Sequence, residues 1–306
     1  MKKLYDFYLD NLGKIPTFLD KYITVPSLVR LKNIGYFCGM DYASKDIYDF
    51  AEYISRFDHS LTVALLTYKY TQDKKATIAA LFHDVATPCF AHVIDYMNKD
   101  YATQESTEEY TEKVILNDKE LLKNLKEDNI EVEEIIDFKK YSIVDLDRPR
   151  LCADRVDGII LTSIGWTKTM DIDTLLSILN HLEVYLNEDG KFELGFNDST
   201  IGLKVLELNN LIDIETHSNY DNYMMELLAN ITRMAIDNNI VKYDDLYYLK
   251  EDELFTILNN CSNTEIKSLL DKFYHIKKDE IKEIEIKGLK RKIIKPLIKG
   301  VRYNEK

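Results

Sequence analysis

The sequence is poor in glycine, proline and cysteine, and it lacks a long apolar run. Its 306 residues include 10 glycines and 5 prolines, which excludes collagen-like and long linker architectures. No apolar run approaches the roughly 18–20 residues that cross a membrane, and charged residues near the N-terminus stand where a signal peptide would be apolar. The four cysteines are scattered without a CxxC pair, which excludes a zinc ribbon and a disulfide framework. We therefore expect a cytoplasmic protein with reduced thiols.

The charge is strongly negative overall but unevenly distributed. The formal net charge of −13 argues against binding to nucleic acid. From Ile276 to Lys306, however, 11 Lys and Arg residues face 5 Asp and Glu residues. This basic C-terminal segment could bind phosphate, a neighbouring subunit or the acidic body of the protein. Charge patterning alone favours pairing with the body.

Most of the chain has the apolar periodicity of α-helices. The predicted helices cover residues 59–71, 75–84, 105–116, 118–127, 151–164, 173–187 and 221–237. Asp173 is the predicted N-cap of the sixth. Lys250 lies near the cap of a further helix that follows a loop at 247–250.

Two short stretches indicate strands instead. Residues 191–194 follow a turn signal at 187–190, and residues 283–288 alternate at period two with 291–294 as a candidate partner. We therefore predict an all-α fold with one or two small β-hairpins in the C-terminal part. Its core covers residues 1–165, and a helical region over residues 166–306 packs on that core.

A set of histidines and aspartates suggests a metal site. His83 and Asp84 are adjacent at the end of an apolar helix, His59 begins the preceding helix, and Asp154 lies in another apolar helix. Two imidazoles and two carboxylates suit a divalent cation such as Mg, Mn, Fe, Ni or Zn. A metal would also compensate carboxylates that are costly to bury unpaired. A single histidine on an apolar helix is more often a hydrogen-bonded core residue. Only the combination of all four residues therefore indicates a metal site.

Three segments in order resemble the HD superfamily of metal-dependent phosphohydrolases, and more narrowly the deoxynucleoside triphosphate triphosphohydrolases. They are Arg56-Phe57-Asp58-His59-Ser60-Leu61, Ala80-Leu81-Phe82-His83-Asp84-Val85 and Ala153-Asp154-Arg155-Val156-Asp157. The resemblance is specific from about residue 22 to residue 165 and looser beyond. It implies an HD-domain helical core and a divalent metal bound by His59, His83, Asp84 and Asp154.

The resemblance also implies roles for individual residues. Asp84 would orient a water that the metal activates, and the Arg56 guanidinium would bind phosphate oxygens. The alternative for Arg56 is a salt bridge with a carboxylate such as Asp58. Arg155 and Asp157 follow the Asp154 ligand and are predicted to contact substrate or to orient the site. Their alternative is an ion pair on the helix surface.

The chain departs from the family pattern after the His-Asp pair. Thr87 and Gln104 stand where the triphosphohydrolases usually have histidines, and both are predicted substrate contacts. Thr and Gln donate hydrogen bonds, but they cannot move protons near neutral pH. His92 matches a family histidine and is the predicted acid or phosphate donor. Its alternative is a structural hydrogen bond at a helix N-terminus.

These features predict a metal-dependent phosphohydrolase that acts on a nucleotide, most closely like a deoxynucleoside triphosphate triphosphohydrolase. One alternative is an HD-type nucleoside monophosphate phosphatase or small phosphodiesterase. Another is a non-catalytic HD module that binds a metal or a nucleotide. The family forms oligomers, so the resemblance also implies a homo-oligomer.

Overall fold

The fold is mostly helical, as predicted, and carries one small sheet. A computed structural model describes residues 3–104, 108 and 110–304. The helices are α1 Leu4–Leu12, α2 Pro26–Arg30, α3 Arg56–Thr71, α4 Lys74–Phe82, α5 Val93–Asn98, α6 Thr111–Asn117, α7 Lys119–Glu127, α8 Glu133–Ile136, α9 Ala153–Gly165, α10 Ile172–His181, α11 Ser199–Thr216, α12 Asn219–Asp237, α13 Glu251–Asn260 and α14 Thr264–His275. The strands are β1 Leu182–Leu186, β2 Phe192–Phe196, β3 Leu297–Ile298 and β4 Val301–Arg302. Residues 105–107 and 109 of the predicted helix 105–116 lie outside the described residues.

Helix α3 begins at a capping box. The Ser55 side chain accepts a hydrogen bond from the Asp58 backbone N–H, and the Asp58 carboxylate accepts one from the Ser55 N–H at 2.8 Å. Both orphan donors are thereby satisfied. The Asp58 side chain therefore caps the N-terminus of α3. Most of the first three turns of α3 are buried.

Helices α4 and α9 bring the remaining predicted metal ligands to α3. Asp73 caps α4, which packs on α3 and ends at Phe82, so that His83 and Asp84 lie in the turn that follows. Helix α9 also packs on α3 and places Asp154 in its first turn. Helix α11 packs on α9, and α12 packs on α5. The division into regions at residue 165 stays a prediction.

The predicted helix 173–187 was wrong in its second half. Asp171 rather than Asp173 caps α10, and the helix ends at His181. The chain continues directly into β1, which pairs antiparallel with β2 from Leu182 opposite Phe196 to Leu186 opposite Phe192. The strand predicted over residues 191–194 is confirmed as part of β2. Cross-strand pairing therefore overrides the leucine periodicity after His181.

The hairpin predicted over residues 283–294 was wrong. The structure describes all of residues 283–294 and places no strand among them, and the last hairpin is formed by β3 and β4, with β3 parallel to β2. The backbone of 290–292 bonds to other parts of the molecule instead. The Lys290 N–H donates to the Tyr101 carbonyl at 2.9 Å, and the Lys292 N–H donates to the Asp213 carboxylate at 2.6 Å.

Two arginines of the basic C-terminal segment form ion pairs with the acidic body. Arg291 forms a salt bridge with Asp213 at 2.6 Å. Arg302 bonds to Glu193 and Glu188. Within the described residues, no helix is long and apolar enough to cross a membrane.

Candidate metal centre and active site

Three of the predicted metal ligands converge at one point. His59 Nε2 lies 3.1 Å from Asp154 Oδ1, and His83 Nε2 lies 3.7 Å from the same oxygen. One ligand atom from each residue lies within 4.8 Å of the others. Both histidines are buried, while about a third of the Asp154 side chain is exposed. This is a spacing that ligands of one metal ion can have.

Asp84 lies beside these three residues and pairs with Arg56. Its two carboxylate oxygens lie 3.8 Å from His59 Nε2 and 3.8 Å from His83 Nε2. Arg56 Nη1 donates to Asp84 Oδ2 at 2.8 Å, and both side chains are largely buried. Arg56 thus pairs with Asp84 rather than with Asp58. The guanidinium orients the carboxylate and offsets part of its charge.

The histidines present their Nε2 lone pairs to the centre. His83 Nδ1 lies 2.7 Å from the Ala80 carbonyl oxygen, so Nδ1 carries the proton and donates it. His83 Nε2 is buried and has no hydrogen-bond partner within the described residues. His59 Nδ1 donates to Asp157 Oδ2 at 2.7 Å, and Asp157 also accepts from the Tyr8 hydroxyl at 2.7 Å. Such hydrogen bonds fix the tautomer that binds metal.

The local charge also fits a divalent cation. Burial lowers the pKa of His59, but hydrogen bonds to Asp154 and Asp157 outweigh it and raise the pKa to about 10. Burial favours the neutral form of Asp154, but the nearby imidazoles hold its pKa well below the usual range. Carboxylates that favour a proton on His59 favour a metal cation in its place. With neutral imidazoles, three carboxylates (Asp84, Asp154 and Asp157) and one guanidinium leave a formal charge of −2.

Comparison with known proteins agrees with this geometry. Residues 56–161 match the family model described as the HD domain. The chain is 26% identical over 219 residues to the protein YdhJ of Bacillus subtilis, covering 71% of this chain and 65% of YdhJ. It is 20% identical over 221 residues to the metal-dependent phosphohydrolase cns2 of Cordyceps militaris, covering 72% of this chain and 63% of that protein. The match therefore spans slightly less than two thirds of either relative.

His59, His83, Asp84 and Asp154 line a cavity of about 470 Å³. Of the predicted substrate contacts, Arg56, Gln104 and Arg155 line it, as does His92. Thr87 and Asp157 are fully buried and do not line it. Thr87 faces the interior, where its carbonyl accepts a hydrogen bond from Arg30. Neither residue is therefore placed to contact a substrate in the cavity: Asp157 lies behind His59, which fits the orienting role predicted for it, and Thr87 belongs to the core.

Arg155 and His92 both form hydrogen bonds within the protein in addition to lining the cavity. Arg155 donates to Asp145 at 3.1 Å and to the Arg150 carbonyl at 2.7 Å, so its guanidinium holds the loop before α9. His92 Nδ1 lies 2.8 Å from Asp95 Oδ2 at the start of α5, while the ring still lines the cavity. His92 thus combines the structural hydrogen bond with a place at the cavity. Its role as an acid stays a prediction.

Several residues at the site were missed by sequence reasoning. Tyr36 packs against the Arg56 guanidinium, with 4.9 Å from ring centroid to Cζ, and Arg30 anchors the turn after His83-Asp84. An aromatic cluster of Phe37, Phe50, Tyr48 and Trp166 lines the cavity. Arg148, Lys290 and Lys292 line it as well. The excess of basic residues near the C-terminus was the one signal that pointed toward Lys292.

A buried carboxyl at the cavity should make stability depend on pH. Burial raises the pKa of Asp221 to about 7, and its Oδ1 accepts a hydrogen bond from the Tyr48 hydroxyl at 2.6 Å. An unfolded aspartate ionises near pH 4, so the free energy of unfolding should fall as pH rises from about 4 to 7. We expect Asp221→Asn to reduce the fall in unfolding free energy between pH 5 and pH 8 by about 1 kcal/mol or more.

Urea unfolding of both proteins at pH 5 and pH 8 measures this effect. Asp173→Asn, an exposed carboxylate on α10, is the control and should keep the wild-type slope. Equal slopes in wild type and Asp221→Asn would show that Asp221 does not titrate as described.

Proposed function

We propose that this chain is a metal-dependent phosphohydrolase of the HD type that acts on a nucleotide. The observation that carries the proposal is the convergence of His59, His83 and Asp154 within 4.8 Å, with Asp84 beside them, at a cavity that a substrate can enter. The relative named as a metal-dependent phosphohydrolase supports the same reaction class.

Each side chain has a distinct part in this proposal. A divalent ion held by the four residues would supply activation of water and polarisation of a phosphoryl oxygen. Asp84, held by Arg56, accepts a hydrogen bond from the attacking water and orients it. Arg56 Nε is buried without a partner within the described residues, which leaves this donor for a phosphoryl oxygen. His92 and Gln104 offer further donors along the cavity.

The cavity supports a nucleotide as the substrate class. Its volume of about 470 Å³ falls within the usual range for small-molecule sites. The rings of Phe37 and Phe50 stack with centroids 4.4 Å apart, and Trp166 meets Phe50 edge-on at 6.0 Å. An apolar aromatic wall beside a polar phosphate-binding end suits a molecule with a flat ring and an anionic group. A deoxynucleoside triphosphate is the first candidate.

A monophosphate or small phosphodiester is the second candidate. Thr87 is turned away from the cavity, and Gln104 cannot act as an acid, so two expected histidine functions are missing. A shorter phosphate chain needs fewer such groups. A non-catalytic module that binds a metal or a nucleotide is the remaining alternative, and assembly as a homo-oligomer stays a prediction.

Product analysis separates these candidates. The protein would be incubated with Mn or Mg and with nucleoside and deoxynucleoside mono-, di- and triphosphates, and the products identified by mass spectrometry. We expect nucleoside and intact triphosphate from a deoxynucleotide, and loss of this product in Asp84→Ala. Nucleoside and single phosphate from monophosphates would favour the second candidate. No turnover of any nucleotide, with metal still bound, would contradict the proposal.

A further inference from the structure

Part of the basic C-terminal segment forms a wall of the cavity. Leu289, Lys290 and Lys292 line it, although they lie more than 120 residues from the end of the HD domain. Lys290 is fastened to the loop after α5, because its Nζ donates to the Thr103 carbonyl at 2.7 Å. The Lys292 backbone is fastened to α11, because its N–H donates to Asp213 and its carbonyl accepts from Asn209. The segment is therefore held in place on both sides of Arg291.

The Lys292 side chain differs from the other basic groups of this segment. Arg291 and Arg302 pair with carboxylates of the body, and Lys290 bonds to a carbonyl. The half-buried Lys292 ammonium has no hydrogen bond or ion pair with any residue that the structure describes. Asp221 also lines the cavity, but it forms no ion pair with Lys292 there.

The charges around Lys292 act in both directions: Asp221 favours the charged ammonium, while burial and neighbouring cations disfavour it. Burial, and next the guanidinium of Arg148, lower its pKa, and Arg56 acts in the same direction. Arg148 itself bonds only weakly, to the Ile293 carbonyl at 3.4 Å. Arg56 is paired with Asp84, whereas Lys292 forms no ion pair within the described part of the chain, so its repulsion by Arg148 and its partial burial make its charge costly. An anion between Lys292 and Arg148 would relieve this cost.

We propose that Lys292, together with Arg148, binds an anionic phosphoryl group of the substrate in this cavity. The inference rests on the proposed function for the chemical class of the ligand. The lysine ammonium is a compact charge with three donors, and the arginine can grip two phosphate oxygens at once. Thr87 and Gln104 stand in place of two histidines expected to contact phosphate. The C-terminal segment would supply phosphate contacts instead.

Phosphate binding to full-length variants tests the proposal. Inorganic phosphate would be titrated calorimetrically into wild type, Lys292→Met, Lys292→Arg and Arg148→Met, each with its bound metal. Lys295→Met is the matched control, because Lys295 lies three residues further along, is exposed and does not line the cavity. Metal content and thermal melting would be recorded for every variant.

We expect Lys292→Met to weaken phosphate binding about tenfold or more, the usual effect of losing a charge-assisted hydrogen bond. Arg148→Met should weaken it similarly. Lys292→Arg and Lys295→Met should stay within about threefold of wild type, because they keep the cavity charge. Metal content should not change. Wild-type affinity in Lys292→Met, or no phosphate binding by the wild type, would overturn the proposal.

The outcome also separates this inference from the proposed function. Wild-type hydrolysis with an unchanged KM and unchanged phosphate affinity in Lys292→Met would reject the subsite and leave the function standing. A phosphate-binding defect in Lys292→Met without hydrolysis by the wild type would keep the subsite and reject the function. If Lys292→Met does not fold, Arg148→Met tests the subsite by itself.

Discussion

Changing Asp154 to alanine should remove the bound divalent metal and lower hydrolysis by about a thousandfold or more. Asp154 Oδ1 is the atom that both imidazole Nε2 atoms approach, at 3.1 and 3.7 Å. Removing it leaves two neutral nitrogens and Asp84, which is a weaker site of lower negative charge. Losing metal activation of water costs several kcal/mol in the transition state. Metal content by mass spectrometry and initial rates measure the two effects separately.

The chain offers a matched control for this variant. Asp173 is the second residue of α10, as Asp154 is the second residue of α9, but it is exposed and lies outside the cavity. Asp173→Ala should keep wild-type metal content and rate. Wild-type metal content and rate in Asp154→Ala would show that the metal is bound elsewhere, and both the site and the mechanism would then be rejected.

Asp157→Asn should weaken metal binding about 10- to 100-fold, although Asp157 touches neither the cavity nor the metal position. The carboxylate accepts a hydrogen bond from the His59 Nδ1–H, so that Nε2 is the nitrogen available to a metal. An asparagine that keeps its oxygen toward Tyr8 would present its amide N–H₂ to His59 Nδ1. The ring would then favour the tautomer with the proton on Nε2, where it blocks the metal.

Two measurements separate this positioning role from a general loss of stability. Competition with a chelating dye gives the metal affinity, and nitrogen NMR of His59 reports which ring nitrogen carries the proton. Tyr8→Phe removes the tyrosine hydrogen bond to Asp157 and keeps the carboxylate. It should cost about 1 kcal/mol of unfolding free energy and change metal affinity only slightly. Equal metal affinity in Asp157→Asn and wild type would exclude the positioning role.

The residues of the candidate metal centre were largely predictable because their local context is strong. A capped helix begins just before His59, α4 ends just before His83, and Asp154 begins another apolar helix. Local sequence sets where such helices start and stop. The resemblance of these three segments to one family then predicted that the three segments lie together in the fold. That these four residues bind metal stays a prediction.

Other predictions failed where distant contacts outweigh local pattern. Residues 182–186 carry a leucine repeat that fits a helix, but they pair with residues 192–196 as β1 and β2. Residues 283–288 alternate like a strand, yet their neighbours at 290–292 bond to Tyr101 and Asp213 instead of forming a hairpin. Buried backbone N–H groups need hydrogen-bond acceptors, and the tertiary structure decides which acceptors lie close enough. The local sequence pattern does not predict these acceptors.

The sequence by itself determined the helical class, the His-Asp spacing and the uneven distribution of charge, because periodicity and composition are local properties. Only the tertiary structure decided that Asp157 lies behind His59, that Thr87 faces the core, and that Lys292 enters the cavity. These placements depend on which helices pack together and on contacts between residues far apart in sequence, such as Lys290 and Thr103, which are 187 positions apart. How deeply a residue is buried and which charges surround it depend on the packing of the whole molecule. The local sequence pattern therefore predicts them poorly.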